Sequence, residues 1–498
     1  MIQRATSHRM LALGLAGLKR QRASLITWPT VVDLIVVGFL LGQGILAFCL
    51  SIRSDDVFAG DTTYFELARS WLDTGTYGFN GKVESLFPPG FPAMLALLCV
   101  TVGCYHIIMI RAMAIFATLG LLVSYALLRR LHGRSVAATC CLLLASSPEI
   151  FTLTTRTVFA DLPYFFTSML ALVVAVRIEA ATSPRIRIAL ALLCSILVVM
   201  SLLLRSAAIA LLVGLLAWLV SSCFTDWHTA RRRIVLFMPV VLLGIVVQGW
   251  WIHWAQQHEV QEWALPGFPM SYIAQLRVKD GHHPEWGVAS LSDIPARAGR
   301  NLVQRSAGLM TILTRQFINP AWGSLVVCGP ACLLLIGLGC SLWPGGGHWS
   351  DWYFLSYEAM YLLWPWDLEI RFLVPVVPLA GLYLWRGGAA LFRWTSHTPR
   401  LVGVVSLPLI VFLGASTMLW GWASAGLQLK LSAVLWWGIA LGAAWMAWTG
   451  AAPLSTVWSR VTVQVVKTGI TPQLAPSDRW RGVETGQLHP AGRLHTPQ

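Results

Sequence analysis

Apolar residues run through this chain in blocks of roughly 20, the length that crosses ~30 Å of hydrocarbon as a helix. Long blocks cover about residues 30–51, 106–129, 135–149, 162–178, 186–203 and 206–223. They continue at 234–253, 323–343, 352–366, 371–391, 400–421 and 432–449. A further stretch, 89–104, is short for a span and opens on Pro88-Pro89-Gly90. Between the blocks lie two long polar segments, 52–105 and 254–322. The pattern predicts an all-α polytopic membrane protein.

Arginine and lysine fix how the blocks alternate. Lys19-Arg20-Arg22, Arg129-Arg130-Arg134, Arg185-Arg187, Arg231–Arg233 and Arg386-Arg393 each stand beside an apolar block. Cytoplasmic loops carry such clusters. Were 89–104 a full span, the Arg129–Arg134 cluster would emerge outside. Treating 89–104 as a juxtamembrane helix on the outer face keeps every cluster inside and gives about 12 transmembrane helices. The expected organisation is a basic cytoplasmic N-terminus (1–29) and a membrane domain (30–449) with outer loops 52–105 and 254–322. A polar cytoplasmic tail (450–498), expected to be disordered, completes it.

Composition agrees with this pattern. The 498 residues are 56% hydrophobic and only 12% charged, too few charges to cover a soluble surface. Many of the 25 Trp stand at block ends (Trp28, Trp227, Trp250, Trp251, Trp364, Trp366 and Trp420), as an interfacial belt requires. The net charge of +14 is accounted for by the loop clusters, so nucleic acid is excluded as a partner in favour of membrane lipids. The 10 Cys fall mostly inside apolar blocks, without a CxxC, and read as small apolar helix residues. No cleaved signal peptide is expected, because the apolar stretch Met10–Leu18 is short.

Ionisable groups collect on the outer side. Asp55, Asp56, Asp61, Glu66, Asp73, Lys82 and Glu84 lie in the first outer loop. Asp161, Arg205, Asp367, Glu369 and Arg371 lie at span ends. Charges at a membrane border are costly unless paired or functional, so a site is expected on that face. Pairing is the competing explanation for several of them: Arg371 with Asp367 or Glu369, Arg156 with Asp161. In the long loop, Tyr272, Trp286 and His258 could stack on a sugar or serve the core. His282-His283 is poorly disposed for chelation, since neighbouring side chains diverge in extended chain, and no metal ligand set is assigned.

Three segments carry a resemblance. They are Gly60-Asp61-Thr62-Thr63-Tyr64-Phe65-Glu66-Leu67-Ala68 with Phe87-Pro88-Pro89-Gly90, then Arg156-Thr157-Val158-Phe159-Ala160-Asp161-Leu162-Pro163, and last Asp367-Leu368-Glu369-Ile370-Arg371-Phe372-Leu373-Val374-Pro375. In order and spacing they resemble the GT-C membrane glycosyltransferases, in the branch of protein O-mannosyltransferases and lipid A aminoarabinose transferases. That resemblance implies juxtamembrane helices in the first outer loop. It also implies hexosyl or pentosyl transfer from a polyprenyl-phosphate-linked donor to a glycan, lipid or protein acceptor, at the periplasmic face of a bacterial inner membrane. By the same resemblance Asp61 is the base or acceptor-orienting carboxylate, with Asp55 and Asp56 as alternatives. Asp161 is the second acid, holding the acceptor or a divalent metal ion. Arg371 binds the leaving phosphate, with Arg205 and Lys82 as lesser candidates; Tyr64, Asp56 and Glu369 complete the substrate-binding set. No other cofactor is implied. The family's Asp-Glu pair is absent at Asp61-Thr62, and Leu86-Phe87 stands where a Lys is often found. Competing readings are a transporter or lipid-carrier flippase, and an O-antigen ligase or polymerase using His282 or Arg297 of the long loop.

Asp61→Asn is expected to abolish sugar transfer in membranes at matched protein level. Near wild-type transfer would remove Asp61 from the mechanism.

Overall fold

The computed structural model describes residues 28–51, 59–79, 82–258, 272–314, 324–343 and 346–395. It is a helical bundle. Helix α1 covers Trp28–Cys49, and the first outer loop holds α2 (Ala59–Thr74), a hairpin of β1 (Gly78–Phe79) and β2 (Lys82–Val83), and α3 (Gly90–Val102). Helices α4 (His106–His132), α5 (Arg134–Ala145), α6 (Pro148–Arg156), α7 (Asp161–Ala180), α8 (Pro184–Leu204), α9 (Ile209–Thr225) and α10 (Trp227–Gln257) follow. Then come α11 (Tyr272–Arg277), α12 (Asp293–Thr314), α13 (Ser324–Leu342), α14 (Trp349–Leu362) and α15 (Val377–Thr395).

Local chemistry sets the breaks. Gly103 and Gly133 end α3 and α4 at φ +100° and +88°, a region that L side chains avoid. Pro148 starts α6, where its missing N–H costs nothing, and the Ser147 hydroxyl accepts from Ile150 N at 3.4 Å. The Asp226 carboxylate caps α10 by accepting from His228 N at 3.0 Å and Thr229 N at 3.3 Å.

Among the described residues six helices are long and apolar enough to cross a bilayer, or seven if α5 and α6, bent by 57° at Ser146-Ser147, form one span. The chain is thus an integral, multi-pass membrane protein. The expected spans at 400–421 and 432–449, and the tail, lie outside the described residues. The expected span 352–366 is the 14-residue α14, only ~21 Å long at 1.5 Å per residue. The expected span 371–391 opens instead as a 3-10 turn, Ile370–Leu373, and becomes α-helical at Val377. Pro375, which offers no N–H, lies between the two. The stretch 89–104 is the short apolar α3, as the charge alternation requires.

Cross-bundle contacts agree with that alternation. Asp33, near the start of α1, pairs with Arg129 at the end of α4 (2.7 Å) and with Arg134 at the start of α5 (3.0 Å), and accepts from the Tyr125 hydroxyl at 2.6 Å. Glu179 at the end of α7 holds Arg233 near the start of α10 at 2.6 Å. Each contact joins helix ends that the charge alternation places on the same side. At the opposite face Ser147 donates to Ile312 O of the long loop at 2.6 Å.

Close helix approach depends on small residues. A Cβ at Gly214 of α9 would lie 2.6 Å from the Tyr353 backbone of α14, and one at Gly120 of α4 would meet the Phe165 ring of α7 at 2.4 Å. Buried polar side chains satisfy one another inside the bundle: Tyr164 with Tyr353 at 2.9 Å, Ser201 with Thr167 at 2.9 Å, and the Tyr383 hydroxyl donating to the Asp351 carboxylate at 2.7 Å.

Two expectations change. Cys99 and Cys104, read as apolar helix residues, form a disulfide that closes the turn between α3 and α4. The segment 254–322 is more than a polar loop, because it contains the 22-residue helix α12. Gly214→Val is expected to force α9 from α14 and cost about 1–3 kcal/mol of stability, measured by thermal unfolding in detergent. An unchanged melting temperature would mean that the two helices are not in backbone contact.

Candidate functional site

Helices α7 and α8 form an antiparallel hairpin, which brings the first residue of α7 beside the end of α8. Asp161 opens α7 and is 2% exposed; Arg205 caps α8 in an extended conformation. Each suits its position, since helix N-termini favour anions and C-termini favour cations. The two side chains form a buried ion pair. Arg205 also donates from Nη2 to the Tyr361 hydroxyl at 3.2 Å, and its guanidinium lies 4.8 Å over the Phe372 ring. Arg156, the nearby cation offered as a partner for Asp161, is displaced by Arg205, 44 residues after Asp161 in the chain. The tight α7–α8 hairpin makes this long-range partner the nearer one.

The 3-10 turn after α14 supplies Arg371. It pairs with Glu369, donating from Nη2 to Oε1 at 2.8 Å, with Nε at ion-pair distance, 2.7 Å, from Oε2. Its guanidinium lies 4.0 Å over Phe159, two residues before Asp161, and 5.1 Å over Phe372. Phe372 therefore carries Arg205 and Arg371 together, and Tyr361 stacks on it at 5.3 Å and 22°. Asp367 turns away, to His282 at 3.1 Å and Gln304 at 2.8 Å.

The first outer loop closes over this group. Tyr64 of α2 packs edge-on against Phe87 at 5.0 Å and Phe91 at 4.9 Å. Glu84 accepts from Leu86 N at 2.6 Å and Phe87 N at 3.4 Å, and Tyr77 donates to Phe87 O at 2.7 Å; these bonds shape the turn into Pro88-Pro89. Burial pushes the Glu84 carboxyl above the usual carboxylate range. Next in line, Gly90 touches the backbone of Leu203, where a Cβ would sit at 2.7 Å. Tyr64 and Phe91 are thereby carried to the end of α8, beside Arg205. Asp61 lies three residues before Tyr64 in α2, and Lys82 lies in β2. Both side chains, and Asp55 and Asp56 entirely, lie outside the described residues.

The structure thus brings Asp161, Arg205, Arg371 and Glu369 together through Phe159 and Phe372. It adds Asn301 and Arg305, which the sequence reading did not select, on one helix face with Arg297, which it did. Arg297, Asn301 and Arg305 recur every fourth position on α12 and so share one face. Arg297 donates to the carbonyls of Leu276, Leu363, Val278 and Lys279, so it is a backbone anchor and not the free loop Arg of a ligase. Asn301 donates to Tyr361 O, Leu362 O and Trp364 O at 3.1, 3.1 and 2.7 Å, satisfying the open carbonyls at the end of α14. Arg305 pairs with Glu358 of α14. The 3.6-residue alternation of polar and apolar positions in 293–314 was the available signal for α12. His282 and His283 diverge, as expected, the second binding Glu285 at 2.9 Å and stacking on Trp286 at 4.4 Å. His258 stacks on Trp254 at 4.6 Å, and the Tyr272 side chain lies outside the described residues.

The neighbour of Asp161 is the Arg205 guanidinium, and among the described residues no three His, Cys, Asp or Glu side chains form a ligand set.

Solved structures resemble the chain. ArnT from Cupriavidus metallidurans bound to undecaprenyl phosphate aligns with a TM-score of 0.48 and 17% identity, covering 89% of this chain and 81% of that one. An Archaeoglobus fulgidus oligosaccharyltransferase tethered with an acceptor peptide aligns with a TM-score of 0.43 and 14% identity, covering 82% of this chain and 55% of that one. No protein-family model and no curated protein matches.

Breaking the buried pair from one side leaves a bare charge, whereas removing both charges does not. Asp161→Asn is expected to cost about 3–5 kcal/mol, and the double variant Asp161→Leu/Arg205→Met to recover most of that in thermal unfolding. Equal loss in both would contradict the pairing.

Proposed function

We propose that the chain is a membrane glycosyltransferase that moves a sugar from a polyprenyl-phosphate carrier to an acceptor at the face opposite its arginine-rich one. The observation that carries this reading is the gathering of Asp161, Arg205 and Arg371 around Phe159 and Phe372 at the outer membrane border. A lipid donor can present its phosphate there while its tail stays in the bilayer.

The transfer breaks the bond between the anomeric carbon and the phosphate oxygen, and the carrier phosphate leaves with the electron pair. The acceptor oxygen forms the new bond to the same carbon, and its proton passes to a carboxylate, assigned to Asp61. The planar fork of an arginine matches a phosphate. Arg371 already holds an oxyanion, the carboxylate of Glu369, by one hydrogen bond from Nη2 with Nε at ion-pair distance, and the leaving phosphate exchanges with Glu369 there. Arg205 adds positive charge at the same ring. Asp161 orients Arg205 and the acceptor, and Tyr64 and Lys82 flank the donor from the first outer loop. No step is assigned to a metal ion.

A transporter would place its polar groups near the middle of the spans, and here the ion pairs stand at their ends. The Cys99–Cys104 disulfide supports an oxidising compartment on this face, in keeping with the periplasmic side of a bacterial inner membrane.

The test uses the protein in nanodiscs with undecaprenyl phosphate as probe. The wild type is expected to bind it, and Arg371→Ala to bind it at least ~10-fold more weakly, as loss of a charged hydrogen bond implies. Transfer from a radiolabelled undecaprenyl-phosphate sugar to membrane acceptors is expected to fall in parallel. Absence of binding by the wild type would overturn the reading.

A further inference from the structure

Arg305 belongs to a helix of the long outer loop, not to a span, yet it is 4% exposed. It makes a two-point ion pair with Glu358, from Nε to Oε2 at 2.9 Å and from Nη2 to Oε1 at 2.5 Å. Its guanidinium lies 4.9 Å over the ring of Tyr361. The hydroxyl of that same ring receives Arg205 Nη2 at 3.2 Å. One turn earlier on α12, Asn301 donates to the Tyr361 carbonyl at 3.1 Å. The ring and the backbone of Tyr361 are thus both held from α12, and Tyr361 in turn is a contact that orients the cation facing Asp161.

Resting on the glycosyltransferase reading, we propose that Arg305 is a positioning residue of the transfer site: through Tyr361 it sets Arg205 against Asp161, so that the guanidinium meets the leaving phosphate of the lipid donor. Glu358 keeps the Arg305 plane against the ring. A cation stacked on a desolvated aromatic face is a directional restraint as well as an attraction. Lysine cannot replace it, because an ammonium has neither the plane nor the two-point grip on a carboxylate. A pair serving stability alone would need opposite charges at 305 and 358, in either order.

That difference supplies the test. Arg305→Lys and the exchange Arg305→Glu/Glu358→Arg are compared with the wild type for melting temperature, undecaprenyl phosphate affinity and transfer from its radiolabelled sugar. Both variants keep a charge pair and are expected to melt near the wild type. Both are expected to lose about 10-fold in affinity and about 100-fold in transfer rate, the scale of a misplaced catalytic group. Wild-type affinity and rate in the exchanged variant would overturn the proposal. A readout without donor separates it from the function reading: site-resolved modification of Arg205 by phenylglyoxal. Arg205, held by Asp161 and Tyr361, is expected to react about 10-fold faster in Arg305→Lys. An unchanged rate would overturn the positioning role even if the wild type binds and transfers. Failure of the wild type to bind undecaprenyl phosphate would instead remove the glycosyltransferase reading.

Discussion

An ion pair buried at the border of a bilayer is a severe constraint. Asp161 and Arg205 must each be drawn out of water, and their mutual attraction offsets that only where geometry and further contacts are good. Much of the outer face contributes to meeting the condition. The α7–α8 hairpin brings the two residues together, helix ends of matching sign receive them, and Tyr361 and Phe372 cover the guanidinium. Phe372 belongs to the segment that also carries Arg371, so the pair and the second cation share one support.

The same constraint explains the polar stripe of α12. The final carbonyls of α14 have no partner within their own helix, and near a membrane water is a poor substitute. Arg297 and Asn301 satisfy them, and Arg305 meets Glu358 one turn away. A single face of one outer helix therefore completes the end of a buried one, and the segment 364–373 is placed as a result.

The bundle was largely legible in the chain because length and apolarity determine a span and arginine determines its direction. Residues 89–104 illustrate this: their shortness, the Pro88-Pro89-Gly90 start and the charge count together marked α3 as something other than a span. The acidic start of α7 and the Arg371 turn were legible as chemistry at a border. The partners were not. Nothing local distinguishes Arg156 from Arg205 as the mate of Asp161, because the choice depends on how two helices fold back on each other. The disulfide was hidden by the apolar setting of Cys99, and α12 by the reading of a polar segment as loop. Gln304 could not be matched to Asp367 without the fold, since 63 positions separate them.

The contact of Gly90 with Leu203 has a consequence for traffic. Where two backbones touch without a side chain between them, no hydrocarbon tail can slip through. The seam between α3 and α8 is closed at that level, immediately beside Arg205. For the lipid donor proposed above, that closes one flank of the site. The glycine thus acts as a doorstop by virtue of having no side chain.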